Sequence, residues 1–316
     1  MRHSPLAFRR LIVCTLMIAA ALPCIPMSAQ TPEPSQPPPG VLIDIGGHRL
    51  HLLCSGEGGP TAILEAGLGA YSVDWGLVQP QVAKFTRVCS YDRASYAWSD
   101  QGPEPRGLRT SVGELHRLLE RAGIGPPYVL VGQSWGGRIV RLFAHTYPQE
   151  VVGMVLIDTF SEGSAEVRVD PPAPESPPPE AGDPADKLPA ALREAHRWAA
   201  GKARQPDITD VSEDPGALIR STAEGVRAPL GDRPLIAISA GRLPYGADDR
   251  RAGLSPHDKL RAHLHQQAFL ATLSRNNRFL IARQSFHEVH LYEPDLVADA
   301  IRQVVAAARS GSRLGE

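Results

Sequence analysis

The sequence predicts an α/β fold in which a mostly parallel sheet carries helices on both faces. Short apolar runs alternate with helical patterns along most of the chain, as is typical of such folds. At residues 128–147, one apolar run leads through a glycine-rich turn directly into a helical pattern. The 316 residues are 42% hydrophobic and 21% charged, which is ordinary for globular proteins and excludes disorder throughout. This length fits one α/β domain with an insertion.

The individual elements follow from apolar periodicity and from turn residues. Gly46-Gly47 separates two apolar runs and predicts a hairpin. The helix predicted at residues 111–122 begins with Ser111 and Glu114, spaced as in a capping box, and Gly123 follows its end. Two further helices are predicted at residues 138–147 and 296–307. The strands are predicted at residues 41–45, 49–54, 61–65, 87–91, 128–131, 152–157, 235–239 and 279–282.

The first 29 residues have the features of an export signal. Arg9 and Arg10 precede an uncharged apolar run at residues 11–22, and cleavage is expected after Ala29. This run is shorter than the roughly 20 residues that a membrane helix needs. The mature chain is therefore expected to be periplasmic or secreted, with no stable membrane span. A retained N-terminal anchor and lipid attachment at Cys24 are the alternatives.

Clustered prolines predict a linker and a lid. The chain has 30 prolines, and residues 30–40 are rich enough in them to predict a stiff, extended linker. Residues 161–229 interrupt the strand–helix alternation with a proline-rich run and then helical patterns at residues 188–203 and 217–226. We therefore predict a helical lid inserted into the α/β core. The core is predicted to comprise residues 41–160 and 230–308.

The strongest chemical signal is Gly132-Gln133-Ser134-Trp135-Gly136, a G-x-S-x-G pattern between a predicted strand and a predicted helix. A turn this tight forces strained backbone angles on Ser134, and the glycines remove Cβ atoms that would clash there. The hydroxyl group then faces outward, near the positive end of the following helix. The pattern predicts that Ser134 is a nucleophile.

A serine nucleophile needs a base, and the chain has 11 histidines. His287 lies just beyond the last predicted strand, in a loop on the same side of the sheet as Ser134. His290 is the alternative, but it is more typical of a packed histidine. Ordinary structural roles are predicted for His51 on the hairpin and for His263 on a polar helix. His287 and His290 are three residues apart, not four as in the H-E-x-x-H zinc motif, and no metal site is expected.

The third member of such a site is an acid that orients the imidazole. Asp158 directly follows the predicted strand at residues 152–157, where an unpaired carboxylate would be costly. Asp248 and Asp249, which follow a later strand, are the alternatives. Arg250 and Arg251 are adjacent to them, so an exposed ion pair also explains these two aspartates. Asp158 is the favoured acid.

The transition state of acyl transfer also needs donors for its oxyanion. The backbone N–H of Trp135, directly after the nucleophile, is predicted to be one donor. The glycine-rich segment Gly67-Leu68-Gly69 follows an early strand, and the backbone N–H of Leu68 is predicted to be the second donor.

These residues resemble the α/β-hydrolase fold superfamily. Residues 66–69, with Trp75 after them, are similar to its oxyanion loop and the tryptophan downstream, and residues 91–100 are similar to its D-x-x-G-x-G-x-S-D loop. Residues 285–297 are similar to its catalytic-histidine segment. The resemblance implies an eight-stranded, mostly parallel sheet with an inserted lid. It also implies the chain order serine, acid, histidine, which Ser134, Asp158 and His287 satisfy.

The chain departs from the superfamily pattern at four positions. Ala66 replaces the histidine of the oxyanion loop, and Ser95 and Ala97 replace two glycines of the later loop. Pro244 stands where the usual acid would fall. That absence strengthens the prediction for Asp158, because some members of the superfamily place the acid after the earlier strand.

Cys54 and Cys89 are the cysteines of the expected mature chain. From the residues alone, a disulfide and two buried free thiols both remain open. Neither cysteine has a neighbouring cysteine or histidine at metal-ligand spacing. The resemblance places their two strands side by side and so implies that the two cysteines pair.

Together these features predict an exported serine hydrolase of the carboxylesterase type. It would cleave an ester or related acyl bond of a small molecule through an acyl-serine intermediate, without a cofactor. A net charge of −1 gives no support for nucleic-acid binding. One alternative is a proline-iminopeptidase-like aminopeptidase that holds a substrate amine with Glu194, Glu213 or Glu224. The other is a non-catalytic binding protein with the same fold. The substrate and the oligomeric state are not predicted.

Overall fold

Eight strands form a single sheet in the computed structural model, which describes residues 39–161, 183–202, 228–244 and 246–315. The strands are β1 (Val41–Asp44), β2 (Arg49–Ser55), β3 (Thr61–Glu65), β4 (Val88–Tyr91), β5 (Tyr128–Gln133), β6 (Val151–Ile157), β7 (Leu235–Ala240) and β8 (Asn277–Ala282). Their order across the sheet is β1-β2-β4-β3-β5-β6-β7-β8. The β1–β2 and β2–β4 pairs are antiparallel, and the other neighbouring pairs are parallel. The predicted fold class is confirmed.

Helices cover both faces of this sheet. The α-helices are α1 (Gln79–Val82), α2 (Leu108–Arg121), α3 (Trp135–Thr146), α4 (Ala190–Gly201), α5 (Ala247–Arg251), α6 (Pro256–Ala271), α7 (Val289–Tyr292) and α8 (Pro294–Ser310). Short 3-10 helices span Ser72–Leu77 and Pro184–Lys187. Side chains of β5 alternate between the faces, as the two-residue period of a strand requires. Leu130 packs with the buried faces of α2 and α3, whereas Val129 and Val131 pack with that of α8.

Helix α2 begins one turn earlier than predicted, and the predicted capping box is wrong. The helix starts at Leu108, so Ser111 lies inside it. The Ser111 hydroxyl donates to the carbonyl oxygen of Gly107, one turn back. The Glu114 carboxylate is buried and pairs with Arg106 at 2.8 Å instead of capping the helix. The Glu114 side chain, which the local pattern assigned to the helix cap, therefore forms a tertiary ion pair instead.

Helix α3 also starts earlier than predicted, at Trp135, because the chain passes from strand to helix through a single residue. The described part of the predicted lid contains the 3-10 helix Pro184–Lys187 and α4, which lies within the helical pattern predicted at residues 188–203. The predicted export signal, most of the linker and the helical pattern at residues 217–226 lie outside the described residues. In the part of the chain that is described, no helix combines the length and apolar character that crossing a membrane requires.

Cys54 and Cys89 form a disulfide between β2 and β4. The two residues are direct partners in the antiparallel register, and their Cα atoms are 4.1 Å apart. Pairing of the two strand neighbours therefore agrees with what the superfamily resemblance implied.

Removal of this disulfide is expected to lower stability substantially. The bond closes a loop with a sequence separation of 35 residues, so chain entropy predicts that the Cys54→Ala/Cys89→Ala variant loses roughly 3–4 kcal/mol of unfolding free energy. Urea unfolding of the oxidised protein and the variant measures the difference. The reduced wild-type protein should unfold at the same urea concentration as the variant. Coincident midpoints for the oxidised protein and the variant would contradict a stabilising bond.

Candidate active site

Ser134 occupies the predicted strained turn between β5 and α3. Its φ and ψ angles are 51° and −119°, in a region that side-chain-bearing residues rarely adopt. A Cβ atom on Gly132 would lie 2.7 Å from the Gly136 carbonyl oxygen, and one on Gly136 would lie 2.4 Å from the Glu65 carbonyl oxygen. Only glycine fits at these two positions, so this turn can form only with the glycines of the G-x-S-x-G pattern.

Ser134 and His287 line the same cavity, which has a volume of about 230 Å³. The cavity lies at the carboxyl ends of the central parallel strands, where α/β folds commonly bind ligands. The predicted oxyanion loop, the loop around His287 and the described part of the predicted lid form its walls. The remaining lining residues are Gly67, Leu68, Gly69, Ala70, Asp74, Gln133, Asp183, Pro184, Ala185, His196, Glu288, His290 and Leu291.

The structure brings Asp158 to His287. The His287 Nδ1 atom lies 2.6 Å from Asp158 Oδ2. A carboxylate can only accept at this position, so Nδ1 carries the proton and Nε2 is left as the basic nitrogen. Burial acts to lower the pKa of His287, but the hydrogen bond and charge of Asp158 outweigh it and raise that pKa above its usual value. The Gln133 side-chain amide also donates to the His287 carbonyl oxygen at 3.2 Å.

Asp158 is itself held by three donors. Its side chain is buried, and its backbone has a φ of 42° at the end of β6. Oδ1 accepts from the Ala240 N–H at 2.8 Å and from His263 Nε2 at 2.6 Å, while Oδ2 accepts from His287. Burial acts to raise the pKa of Asp158, but the hydrogen bonds from the two histidines overcome it and lower the pKa to about 2. The carboxylate is therefore ionised throughout the neutral range.

The alternative acids after β7 are placed differently. Asp249 forms an ion pair with Lys259 at 2.8 Å and accepts from the Gly246 N–H. The Lys259 hydrogen bond is the main cause that lowers the pKa of Asp249. An ion pair therefore accounts for Asp249, but its partner is Lys259, and the pair is half-buried, not exposed as predicted. Asp248 lies in the short helix α5.

His290 is buried, as expected for a packed histidine. Its ring lies against that of Trp75, with the centroids 4.7 Å apart. Burial lowers the pKa of His290 to about 4, so the ring is neutral near pH 7. Its Nδ1 atom has no hydrogen-bond partner among the described residues. His290 lines the cavity, but His287 is the histidine that contacts Asp158.

A buried arginine holds residues 66–69, the predicted oxyanion loop. Arg93 donates to the carbonyl oxygens of Ala66 and Gly67, both at 2.7 Å, and pairs with Glu65 at 2.7 Å. The Gly67 carbonyl and the Leu68 N–H belong to one planar trans peptide, so they point in opposite directions. With the carbonyl turned toward Arg93, the Leu68 N–H is turned away from Arg93. Trp135 is the first residue of α3, where the backbone N–H has no partner within the helix.

The segment that follows Arg93 keeps a glycine-like backbone without the glycines. Ser95 and Ala97 have φ angles of 71° and 38°, in the region that glycine adopts most easily. The two departures from the superfamily pattern therefore leave the left-handed turns in place. The Asp100 carbonyl accepts from the Ser95 N–H at 2.8 Å, and the Tyr96 carbonyl accepts from the Ser99 N–H at 2.9 Å.

Helix α4, in the predicted lid, contributes His196 to the cavity. His196 Nδ1 lies 2.6 Å from Asp74 Oδ1, and this hydrogen bond is the main cause that raises the pKa of His196. Glu194 on the same helix is exposed and does not belong to the cavity lining. Glu213 and Glu224, the other two glutamates considered for an aminopeptidase, lie outside the described residues.

Comparison with known proteins gives the same fold. The sequence model of the alpha/beta hydrolase fold family matches residues 60–213. An α/β-hydrolase superfamily protein of Gibberella zeae is 26% identical over 287 residues, which cover 79% of this chain and 87% of that protein. The structure of a thermophilic esterase from Thermogutta terrifontis matches with a TM-score of 0.53 and 19% identity, covering 85% of this chain and 98% of the esterase. The chain has the α/β-hydrolase fold.

A third relative shares only one segment with this hydrolase-fold chain. The probable transporter efuK of Hormonema carpetanum is 38% identical over 130 residues. Those residues are 38% of this chain but 18% of that protein, so the chain corresponds to a small part of this relative. The match leaves the activity of this chain open.

Two residues of the candidate site were not predicted from the sequence. His263 was given an ordinary structural role, but it contacts the carboxylate that binds His287. Gln267 lies four residues after it, so the two side chains share a helix face, and that polar pair was an available signal. Arg93 stands inside the D-x-x-G-x-G-x-S-D segment, where only the fold shows that its side chain reaches the oxyanion loop.

Proposed function

We propose that this protein is a serine hydrolase that cleaves a carboxylic ester or related acyl bond through an acyl-serine intermediate. One observation carries the proposal. Ser134, on its strained turn, shares a cavity with His287, whose Nδ1 atom is 2.6 Å from the buried Asp158 carboxylate. These are the three roles that activation of a serine hydroxyl requires.

In the proposed reaction, His287 Nε2 removes the proton from the Ser134 hydroxyl as its oxygen attacks the substrate carbonyl carbon. Asp158 holds the imidazole and stabilises its charged form. The N–H groups of Leu68 and Trp135 bind the developing oxyanion. His287 then protonates the leaving alcohol. A water molecule, deprotonated by His287 in turn, attacks the acyl-serine and releases the carboxylic acid and the free hydroxyl.

We also propose that the protein acts outside the cytoplasm. The apolar run at residues 11–22, preceded by Arg9 and Arg10, has the pattern of an export signal. The Cys54–Cys89 disulfide supports this location, because such bonds persist mainly in oxidising compartments. N-terminal sequencing of the protein recovered from its native host tests the expected cleavage after Ala29.

The Ser134→Ala variant tests the proposed activity. Removing the nucleophile is expected to lower the rate of p-nitrophenyl ester hydrolysis by a factor of roughly 10⁴ to 10⁶. Ser310→Ala, at the exposed end of α8, is the matched control and should keep the wild-type rate. Wild-type hydrolysis that persists in the Ser134 variant would mean that the nucleophile is another residue.

A substrate panel separates this proposal from the alternatives. Esters of increasing acyl length and aminoacyl-arylamides should be compared at equal enzyme concentration. Faster turnover of esters supports the esterase proposal, whereas a clear preference for aminoacyl-arylamides would favour an aminopeptidase. Absence of turnover with every acyl compound would favour a non-catalytic binding protein.

A further inference from the structure

We propose that His263 is a positioning residue for the reaction, which holds the Asp158 carboxylate on the side opposite His287. This inference rests on the proposed function. His263 lies outside the cavity lining. With it, the proposed reactive unit consists of four side chains: Ser134, His287, Asp158 and His263.

The hydrogen bonds of Asp158 carry the inference. His263 Nε2 lies 2.6 Å from Oδ1, the same separation that joins His287 Nδ1 to Oδ2. The carboxylate side chain is 2% exposed, so neither oxygen depends on solvent for its partners. With the Ala240 N–H also bound to Oδ1, the plane of the carboxylate is fixed from two sides. Oδ2 is thereby directed at His287.

Helix α6 is built to deliver this contact. His263 and Gln267 are four residues apart and lie on one face of the helix. The Gln267 side-chain amide donates to the Thr159 carbonyl oxygen at 2.6 Å, next to the residue that His263 binds. The Thr159 hydroxyl in turn donates to the Ser134 carbonyl oxygen. One face of α6 thus binds Asp158 and Thr159, the two residues after β6. Asp158 contacts His287, and Thr159 contacts the turn at Ser134.

The location of Asp158 explains why its carboxylate needs the hydrogen bond from His263. Asp158 follows β6 with a left-handed backbone, and the segment after β7 carries Pro244 rather than an acid. A single aspartate on a strained residue keeps one orientation only if its surroundings determine it. Helix α6, between β7 and β8, supplies a histidine to this carboxylate.

Loss of His263 should change the basicity of His287. The titratable groups that act on His287 are Asp158 after β6 and, in its own segment, Glu288 and His290. A donor on Oδ1 withdraws negative charge from the carboxylate, whether His263 is neutral or protonated. Without that donor, Asp158 stabilises the protonated form of His287 more strongly, so the pKa of His287 rises. The acidic limb of the rate profile then moves to higher pH.

The test is the second-order rate of labelling by a fluorophosphonate probe, measured from pH 5 to 9. This rate reports activation of the serine without knowledge of the natural substrate. For His263→Leu we expect a decrease of roughly tenfold to a hundredfold at pH 8, and an acidic limb displaced upward by about half to one pH unit. His263→Gln keeps a side-chain N–H donor and should restore much of the rate and reduce the displacement.

His265→Leu is the matched control, because His265 is exposed on the same helix. It should label at the wild-type rate with an unmoved limb. A His263→Leu profile that keeps the wild-type limb, or equal losses in the leucine and glutamine variants, would overturn the positioning role and leave His263 as a packing residue. Failure of the wild-type protein to label would instead overturn the proposed function.

Discussion

Asp158→Asn is expected to lower the turnover number by roughly four orders of magnitude, with little change in KM. An amide in place of the carboxylate offers an N–H group to His287 Nδ1, and the imidazole then carries its proton on Nε2. That tautomer cannot accept the proton of Ser134. The neutral amide also fails to stabilise the imidazolium that forms in the transition state. Steady-state hydrolysis of a p-nitrophenyl ester measures the loss.

Asp249→Asn is the matched comparison, because the sequence left the aspartates after β7 as candidates for the same role. Asp249 is bound to Lys259, so its loss should change turnover by less than about threefold and cost at most about 1 kcal/mol of stability. If Asp249→Asn were the inactive variant and Asp158→Asn the active one, the acid would be misassigned.

Arg93→Met is expected to lower both stability and turnover. Glu65 would be left as a buried charge without its ion-pair partner, which costs about 3–5 kcal/mol of unfolding free energy. The carbonyl oxygens of Ala66 and Gly67 would each lose a charged donor. Since the orientation of the Leu68 N–H depends on the Gly67 peptide, we expect turnover to fall by roughly tenfold to a hundredfold in the folded protein.

A paired comparison separates the two effects of Arg93. Arg93→Lys can keep the charge beside Glu65 but cannot donate to three acceptors in the same fork geometry, so it should fold while turnover stays low. Arg106→Lys is the matched control, because Arg106 is also buried and pairs with Glu114 at 2.8 Å, outside the cavity lining. Denaturant unfolding and ester turnover are measured on both. Equal turnover in the two lysine variants would contradict a role for Arg93 in the oxyanion loop.

The sequence predicted the sheet well because its strands are marked by local patterns. Each of the eight predicted runs coincides with an observed strand, with ends shifted by at most two residues. The start of α2 was wrong because the Ser111 and Glu114 spacing fits a capping box, whereas Glu114 is bound to Arg106 in the fold. Such an ion pair joins residues from different elements, and local spacing carries no information about it.

In the candidate site, too, the residues marked by local patterns were predictable, and those that depend on contacts between separate elements were not. Ser134 was predictable because the strained turn itself requires glycines around it. Asp158 and His287 were favoured from their places after β6 and β8, and the structure brings the two together. The contributions of His263 and Arg93 were hidden because each reaches the site from a separate element. His263 lies on a helix packed against the sheet, and Arg93 follows the strand next to β3.

The proposal that Ser134 is the nucleophile is tested most directly by locating the covalent adduct of a fluorophosphonate probe with peptide mass spectrometry. Trypsin is expected to release residues 122–138 as one peptide, in which Ser134 is the single serine. We expect one adduct per chain, on this peptide, and none in the Ser134→Ala variant. An adduct on any other peptide, or an unmodified wild-type protein after prolonged exposure, would contradict the proposal.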